Sequence, residues 1–396
     1  MKNIYLDNSA TTPVNIKVFQ KMKPYLLKSY GNPSAFHKLG REAKMAIEGS
    51  REIISKFLNS KKEEIIFTGS ATESINLSHK GLIEALLLSK FIKRPHVITS
   101  PIEHKAVLET LKHLKEEKKI DVTYLPVNKF GRINLVSLKK AIKPSTVLVS
   151  LMYVNNEVGT IEPIKEIGEY LKKLNKKRSQ RIYFHIDTTQ ATNYLDLDVN
   201  ELSVDLLSFS GHKIYAPKGI GILYKRTGTP LIAQIDGGFQ EKGLRSGTEN
   251  VAYIVGISEA INLIKKKKTN NKKITILRDR LVKGILKNIK DSKLTGDPIN
   301  RIAGVASFTI DGVEGESMVL LLSQKGIYVS SGSACTSDKL TPSHVLLAMG
   351  IDAITAHSSI RFSLGRATTK EDIDYVIEVF PKIVDKLRLM SPIYKK

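Results

Sequence analysis

A lysine and an aspartate each stand at the end of a predicted apolar strand, where their side chains could take part in catalysis. Lys213 ends the run 204–213, where Gly211 permits a tight turn, and Asp187 ends the preceding apolar segment. Burial readily lowers the pKa of a lysine, which suits Schiff-base chemistry, and an aspartate can keep a pyridine nitrogen protonated. The pair predicts a pyridoxal phosphate (PLP) site, although a solvated loop lysine would show the same local pattern.

Three further loops follow predicted strands and carry candidate ligands. The segment 68–76 leaves a strand and opens a helix, so its backbone N–H groups and the Thr72 hydroxyl could bind a phosphate. His104 could stack on an aromatic cofactor and relay protons. Asn156 follows a long apolar strand together with Glu157. A capped helix, a surface histidine and a turn-forming asparagine are the alternative interpretations.

Cys335 and Arg361 complete the set of candidates. Cys335 is the only cysteine and lies among small polar residues in 329–337, which favours an accessible, reactive thiol over a buried structural one. Arg361 is flanked by alternating apolar residues, a pattern that suits bidentate binding of a substrate carboxylate from a strand. A surface salt bridge is the alternative for Arg361.

Composition limits the classes of protein that the chain can represent. The chain has 396 residues and 41% hydrophobic residues, enough for two or three domains, and a formal charge of +23. Its lysines are dispersed, and the densest run, 265–268 with 272–273, lacks interleaved aromatic residues, so direct nucleic-acid binding is not favoured. No apolar stretch approaches the roughly 20 residues of a membrane helix. With one cysteine and no signal-peptide pattern, we expect a cytoplasmic location and no membrane association.

The elements that must position these residues form an α/β pattern. Strands are predicted at 64–68, 96–99, 122–125, 146–154, 182–186, 204–209 and 221–224. Amphipathic stretches such as 106–117 and 164–176 lie between them, which predicts a mostly parallel sheet with ligands at the carboxyl ends of its strands. After the lysine run, a helix at 274–290, the segments 302–308 and 315–325 and a helical tail at 370–389 predict a smaller α+β domain. The predicted boundary lies near 262–272.

Taken together, several blocks resemble the cysteine desulfurases, PLP enzymes of the class-V aminotransferase type. The resemblance runs from 5–13 to 361–366 and is most specific at 208–213, 245–248, 330–337 and 357–366. It implies the aspartate-aminotransferase-like fold, with a mixed, mostly parallel seven-stranded sheet. The large PLP-binding domain would span 16–262. The small domain would combine 1–15 and 263–396 and would carry a long cysteine loop at about 329–345, as in the branch that supports iron–sulfur cluster assembly.

The resemblance also implies a role for each candidate residue. Lys213 would bind PLP covalently and move the Cα proton, Asp187 would hold the pyridine nitrogen, and His104 would stack on the ring. Arg361, with Asn156, would bind the substrate, and Cys335 would take its sulfur as a persulfide and release alanine. The remaining cofactor contacts, at O3′ and the phosphate, would come from Asn156, Gln190, Ala71, Thr72, Ser210, His212 and, across a homodimer, Thr248.

The implied substrate is L-cysteine, and the implied partner is a sulfur-acceptor protein, either an iron–sulfur scaffold or a sulfurtransferase that serves tRNA thiolation. No intrinsic metal is expected, although Cys335 could transiently contact an iron–sulfur cluster. Another PLP enzyme of this fold, such as a selenocysteine lyase or an aminotransferase, is an alternative. A basic, non-catalytic protein that delivers sulfur or binds RNA is a second one.

Overall fold

The protein is described by a computed structural model that covers residues 3–90, 92–264, 267–332, 341–391 and 394. Its strands are β1 (Ile4–Tyr5), β2 (Ile65–Thr68), β3 (His96–Thr99), β4 (Asp121–Tyr124), β5 (Thr146–Met152), β6 (Tyr183–Asp187), β7 (Leu206–Ser210), β8 (Gly221–Lys225), β9 (Ser292–Thr295), β10 (Val305–Ile310), β11 (Ile327–Tyr328) and β12 (Ser359–Ser363). Its α-helices are α1 (Ile16–Leu27), α2 (Lys38–Leu58), α3 (Ala71–Leu88), α4 (Lys105–Glu116), α5 (Leu135–Ala141), α6 (Ile164–Asn175), α7 (Val251–Ile264), α8 (Lys267–Asn288), α9 (Gly315–Gln324), α10 (His344–Ala348), α11 (Ala353–His357) and α12 (Lys370–Met390). Within these ranges, none of the helices combines the length and the apolar character that crossing a membrane requires.

A seven-stranded mixed sheet forms the centre of the fold, which confirms the predicted fold class. The strand order is β2-β8-β7-β6-β5-β3-β4. Strand β8 runs antiparallel to β2 and β7, and the remaining neighbours are parallel. All seven residues of β5 are buried, because helices cover both faces of a parallel sheet. The carboxyl ends of the parallel strands therefore meet at one edge, where the loops are free to carry ligands.

A second, separate core surrounds a three-stranded antiparallel sheet of order β12-β10-β9. Phe308, Phe362 and Phe380 pack edge to face in this core. Ile4 and Leu6, from the first residues of the chain, are buried in the same core as the carboxyl-terminal elements. Residues from both ends of the chain therefore share this second core.

The seven strands predicted for the central sheet overlap β2 to β8, whereas α1 and α2 were not predicted. Helix α2 carries a clear helical pattern, since Ala43, Ile47, Ile54 and Leu58 lie on one face and are buried. The helix ends at Asn59, whose left-handed backbone (φ 52°) forms the cap. Both helices pack against α7, so α7 is the centre of a three-helix layer.

A buried ion pair fixes the segment that leads towards Thr248. The guanidinium group of Arg51, on α2, donates to both carboxylate oxygens of Glu241 at 2.8 Å. Glu241 also accepts the Phe67 backbone N–H at 2.9 Å and has a positive φ of 46°. Because its side chain is only 2% exposed, the carboxylate depends on these partners for solvation.

We expect Glu241→Ala to destabilise the protein by about 3–5 kcal/mol, because it leaves a buried guanidinium group and a buried N–H group without their acceptor. Thermal unfolding followed by circular dichroism measures the change. Glu48→Ala is the matched control, since Glu48 bonds the same arginine from a side chain that is 52% exposed and should matter little. Equal melting temperatures for the two variants would contradict this account.

Candidate active site

A cavity of about 450 Å³ opens at the carboxyl ends of β3, β5, β6 and β7. It brings together most of the side chains predicted from the sequence: Ala71, Thr72, His104, Asn156, Asp187, Gln190, Ser210, His212, Lys213 and Arg361. Thr248 is exposed and does not line this cavity. Cys335 lies outside the residues that the structure describes.

Lys213 ends a short 3₁₀ turn, Gly211–Lys213, that follows β7 directly. Its Nζ donates to the backbone carbonyl oxygens of Ser9 at 2.6 Å and Ala10 at 2.7 Å. The Gln190 side chain donates to the same Ser9 oxygen at 3.0 Å. The amine is therefore held inside the cavity by the amino-terminal segment and is not a solvated loop lysine.

Asp187 and His104 face the cavity from neighbouring strand ends. Asp187 is 6% exposed and accepts the Thr189 backbone N–H at 2.8 Å. Burial lowers the pKa of His104, although the charge of Asp187 acts in the opposite direction. The His104 Nδ1 accepts the Ala106 backbone N–H at 3.1 Å, so the neutral ring carries its hydrogen on Nε2. The site thus pairs a carboxylate with a flat, uncharged ring.

The amino terminus of α3 forms one wall of the cavity. The Ser70 hydroxyl caps the helix by accepting the Glu73 backbone N–H at 3.1 Å. The N–H groups of Ala71 and Thr72 belong to the first turn, where no intrahelical acceptor exists. The Glu73 carboxylate is paired with Arg245 at 3.0 Å and so does not cancel the positive end of the helix. This wall can bind a phosphate group.

The opposite wall comes from the turn after β7 and from β8. Burial lowers the pKa of His212 to about 4, which makes its ring a neutral hydrogen-bonding group. Its Nδ1 lies 3.1 Å from the Thr11 hydroxyl. A Cβ atom at Gly221 would lie 2.7 Å from the Thr68 hydroxyl, so glycine is needed for β8 to pass this close to the loop. Ser210 and His212 therefore line the same cavity as the start of α3.

Arg361 projects from β12 and is 5% exposed, which rules out the surface salt bridge considered from sequence. Its Nη1 donates to the Asn156 carbonyl oxygen at 2.9 Å, and its Nη2 lies 3.0 Å from Asp7 Oδ1. Among the described residues, its buried Nε has no hydrogen-bond partner. Burial raises the pKa of Asp7, against the lowering effect of Arg361. The Asn156 carbonyl and Asp7 thus fix the guanidinium group at the wall of the cavity.

Two buried glutamates stand behind the cavity. The carboxyl group of Glu103 accepts the Ser100 hydroxyl, and burial raises its pKa well above the usual value. The carboxyl group of Glu157 accepts the Ser343 hydroxyl, and burial raises its pKa as well. Both residues adjoin predicted ligands, His104 and Asn156, so each carboxyl group is placed to support a loop of the site.

Sequence reasoning missed the contribution of the amino-terminal segment. Asp7, Ser9 and Ala10 line the cavity, and Ser330 lines it next to Arg361. The sequence did carry one signal for this segment: the block 5–13, where the family resemblance begins. Nothing in that block indicates which distant residues its carbonyl and carboxylate groups contact.

Comparisons with known proteins agree with this geometry. The class-V aminotransferase family model matches residues 4–376. The "Cysteine desulfurase IscS" of Dictyoglomus turgidum is 46% identical over 396 residues, covering 100% of this chain and 98% of that protein. A solved "NifS-like protein" has a TM-score of 0.89 at 36% identity, covering 97% of this chain and 100% of that one. A second solved structure, "SspA in complex with cysteine", has a TM-score of 0.79 at 36% identity, covering 92% of this chain and 100% of that one.

The match to the family extends over most of the chain, and relatives of this type are similar over its full length. The chain therefore belongs to the class-V aminotransferase family and, within it, to the cysteine desulfurases.

Proposed function

We propose that this chain removes sulfur from L-cysteine with the aid of PLP, releases L-alanine and keeps the sulfur as a persulfide on Cys335. The observation that carries the proposal is one cavity that joins the Lys213 amine, the Asp187 carboxylate and the Arg361 guanidinium group to a phosphate-binding helix terminus. The overall exchange is balanced: a carbon–sulfur bond in cysteine breaks, a sulfur–sulfur bond forms on the enzyme thiol, and no external oxidant is required.

The residues of the cavity fit PLP by their chemistry. The cavity offers an amine for the aldehyde, a carboxylate for the pyridine nitrogen, a flat neutral ring for stacking and two facing walls of donors for the phosphate. When bound, PLP would supply an electron sink for the substrate's Cα. The residues that would hold it are Lys213, Asp187, His104, Asn156, Gln190, Ala71, Thr72, Ser210 and His212.

The chain's own groups would divide the remaining work. The Arg361 guanidinium group, which lines the cavity, would bind the substrate carboxylate, with Asp7 and the Asn156 carbonyl holding the guanidinium plane. The Lys213 amine would carry the Cα proton, because it already sits between two carbonyl acceptors. Cys335 would attack the substrate sulfur, since only a thiolate is both soft and ionisable enough for that step.

The quaternary state, the location and the acceptor belong to the same proposal. Thr248 is exposed and lies outside the cavity of its own chain, which supports its role as a phosphate ligand to a second copy in a homodimer. We also propose a cytoplasmic location and an acceptor protein of iron–sulfur assembly or tRNA thiolation. The domain division at 16–262 against 1–15 and 263–396 would place Arg361 and Cys335 in the small domain, opposite Lys213.

Lys213→Ala should abolish turnover and remove the Schiff-base absorbance at roughly 400–430 nm, because the amine is a chemical group and not a packing one. An absorbance scan and alanine release from cysteine measure both effects. Lys218→Ala, which removes an exposed lysine from the same loop, should leave both unchanged. A Lys213→Ala protein that keeps absorbance and activity would refute the assignment.

Arg361→Ala should lower kcat/KM for cysteine by a factor equivalent to about 2–4 kcal/mol, because the substrate carboxylate loses its guanidinium partner. Steady-state kinetics with varied cysteine give the value. Arg361→Lys keeps the charge without the planar donor edge and should recover only part of the loss. An unchanged kcat/KM in Arg361→Ala would show that the carboxylate binds elsewhere.

Cys335→Ser changes one atom, so PLP absorbance and cysteine binding should remain while sulfur transfer stops. Incubation with sulfur-labelled cysteine, followed by gel separation without reductant, detects a persulfide. The test is sharp because the chain holds no other cysteine. Protein-bound label on the variant would exclude this mechanism, and undiminished alanine release would make the protein a thiol-independent lyase.

A further inference from the structure

Three separated stretches of the chain meet at the carboxyl group of Glu157. The first is the turn after β5, which carries Glu157 beside the cavity-lining Asn156. The second is the start of α10, where the Ser343 hydroxyl donates to Glu157 Oε2. The third is Gly332, since a Cβ on that residue would lie 3.5 Å from the same oxygen and 3.3 Å from the Ser343 Cβ.

Gly332 immediately precedes the stretch that contains Cys335, and Ser343 lies two residues after Thr341, where the described chain resumes. Gly332 is packed so closely that an added Cβ would lie 2.6 Å from the Ser359 hydroxyl. Two residues lie between Gly332 and Cys335, so three peptide units join their Cα atoms, which can be at most roughly 11 Å apart. Whatever fixes Gly332 therefore limits how far the thiol can travel from the cavity.

Hydrogen bonds also connect the residues around Glu157 to one another. The carboxyl group of Glu157 is buried, and its residue is 5% exposed. Ser343 completes a chain of hydrogen bonds, because its hydroxyl oxygen accepts the Leu346 backbone N–H while its hydrogen goes to Glu157. The His344 Nε2 lies 3.0 Å from the Glu103 carbonyl oxygen, which ties α10 to the loop of His104 as well.

We propose that Glu157 is a positioning residue for sulfur transfer, which bonds one flank of the Cys335 stretch through Ser343 and lies beside the other at Gly332, next to the loop that carries Asn156. This inference rests on the proposed function, because it assigns Glu157 to the transfer of sulfur and not to the binding of cysteine or PLP. The carboxyl group acts as a hydrogen-bond acceptor for Ser343, so an amide oxygen can take its place. Without the Glu157 carboxyl group, the Ser343 flank of the Cys335 stretch loses its attachment to the Asn156 loop. The side chains that bind the cofactor and the substrate stay in position.

Glu157→Ala tests the proposal because it should slow sulfur transfer and leave cysteine binding unchanged. Cysteine binding, followed by the change in PLP absorbance, should match wild type, whereas transfer of labelled sulfur to Cys335 in a single turnover should slow on the order of tenfold or more. Glu157→Gln keeps an acceptor and should restore most of the rate. Amide hydrogen exchange should rise at 329–332 and 343–348 in Glu157→Ala only.

Glu162→Ala is the matched control, because Glu162 is an equally buried glutamate of the same turn that bonds the Ile133 backbone N–H instead. It should leave sulfur transfer close to wild type. If Glu157→Ala fails to fold, Ser343→Ala removes the donor from the same bond and should give the same split.

Three outcomes would overturn the proposal: transfer at the wild-type rate in Glu157→Ala, an equal loss of cysteine binding, or a Glu157→Gln protein as slow as Glu157→Ala. Failure of the wild-type protein to form any persulfide on Cys335 would instead reject the proposed function itself.

Discussion

The in-register parallel pairing of β5, β6 and β7 is the constraint from which the geometry of the cavity follows. Met152 pairs with Asp187, and Asp187 pairs with Ser208, so β5 and β6 end at one level and β7 ends two residues further on. The turns that follow place Asn156, Asp187 and Lys213 around one space. A slip of one residue would turn Asp187 to the opposite face of the sheet, and the amine and the carboxylate would no longer share a cavity.

Burial then decides which groups in this space carry charge. Removal from water disfavours the charged forms of His104 and His212, whose pKa values are lowered, and raises the pKa of Asp7. Arg361 lines the same space and is held by Asp7 and the Asn156 carbonyl, so its guanidinium group is a fixed partner for a small anionic ligand in a region of weak dielectric screening.

The chemistry was predictable from sequence where it depends on local order. The apolar runs that end in Asp187 and near Lys213 predicted strands, and the structure places both side chains at one cavity, whereas the reactive thiol of Cys335 stays a prediction. Contacts between distant residues left no such signal. Asp7 and Arg361 are 354 positions apart, and the Lys213 amine meets carbonyl oxygens that any residue would present. Backbone acceptors and long-range ion pairs are set by topology, which a single sequence does not display.

Part of the cavity wall comes from the amino-terminal residues Asp7, Ser9 and Ala10, which affects the order in which the site forms during synthesis. Ile4 pairs with Ile327, and the Asn8 side chain donates to the Ser363 carbonyl oxygen across 355 positions of sequence. During synthesis, Ile4 and Asn8 therefore leave the ribosome long before the residues that they contact. A nascent chain can build its central sheet early, but the lysine and arginine acquire their partners only after β12 has emerged. The timing of translation thus keeps an incomplete chain from presenting a finished site.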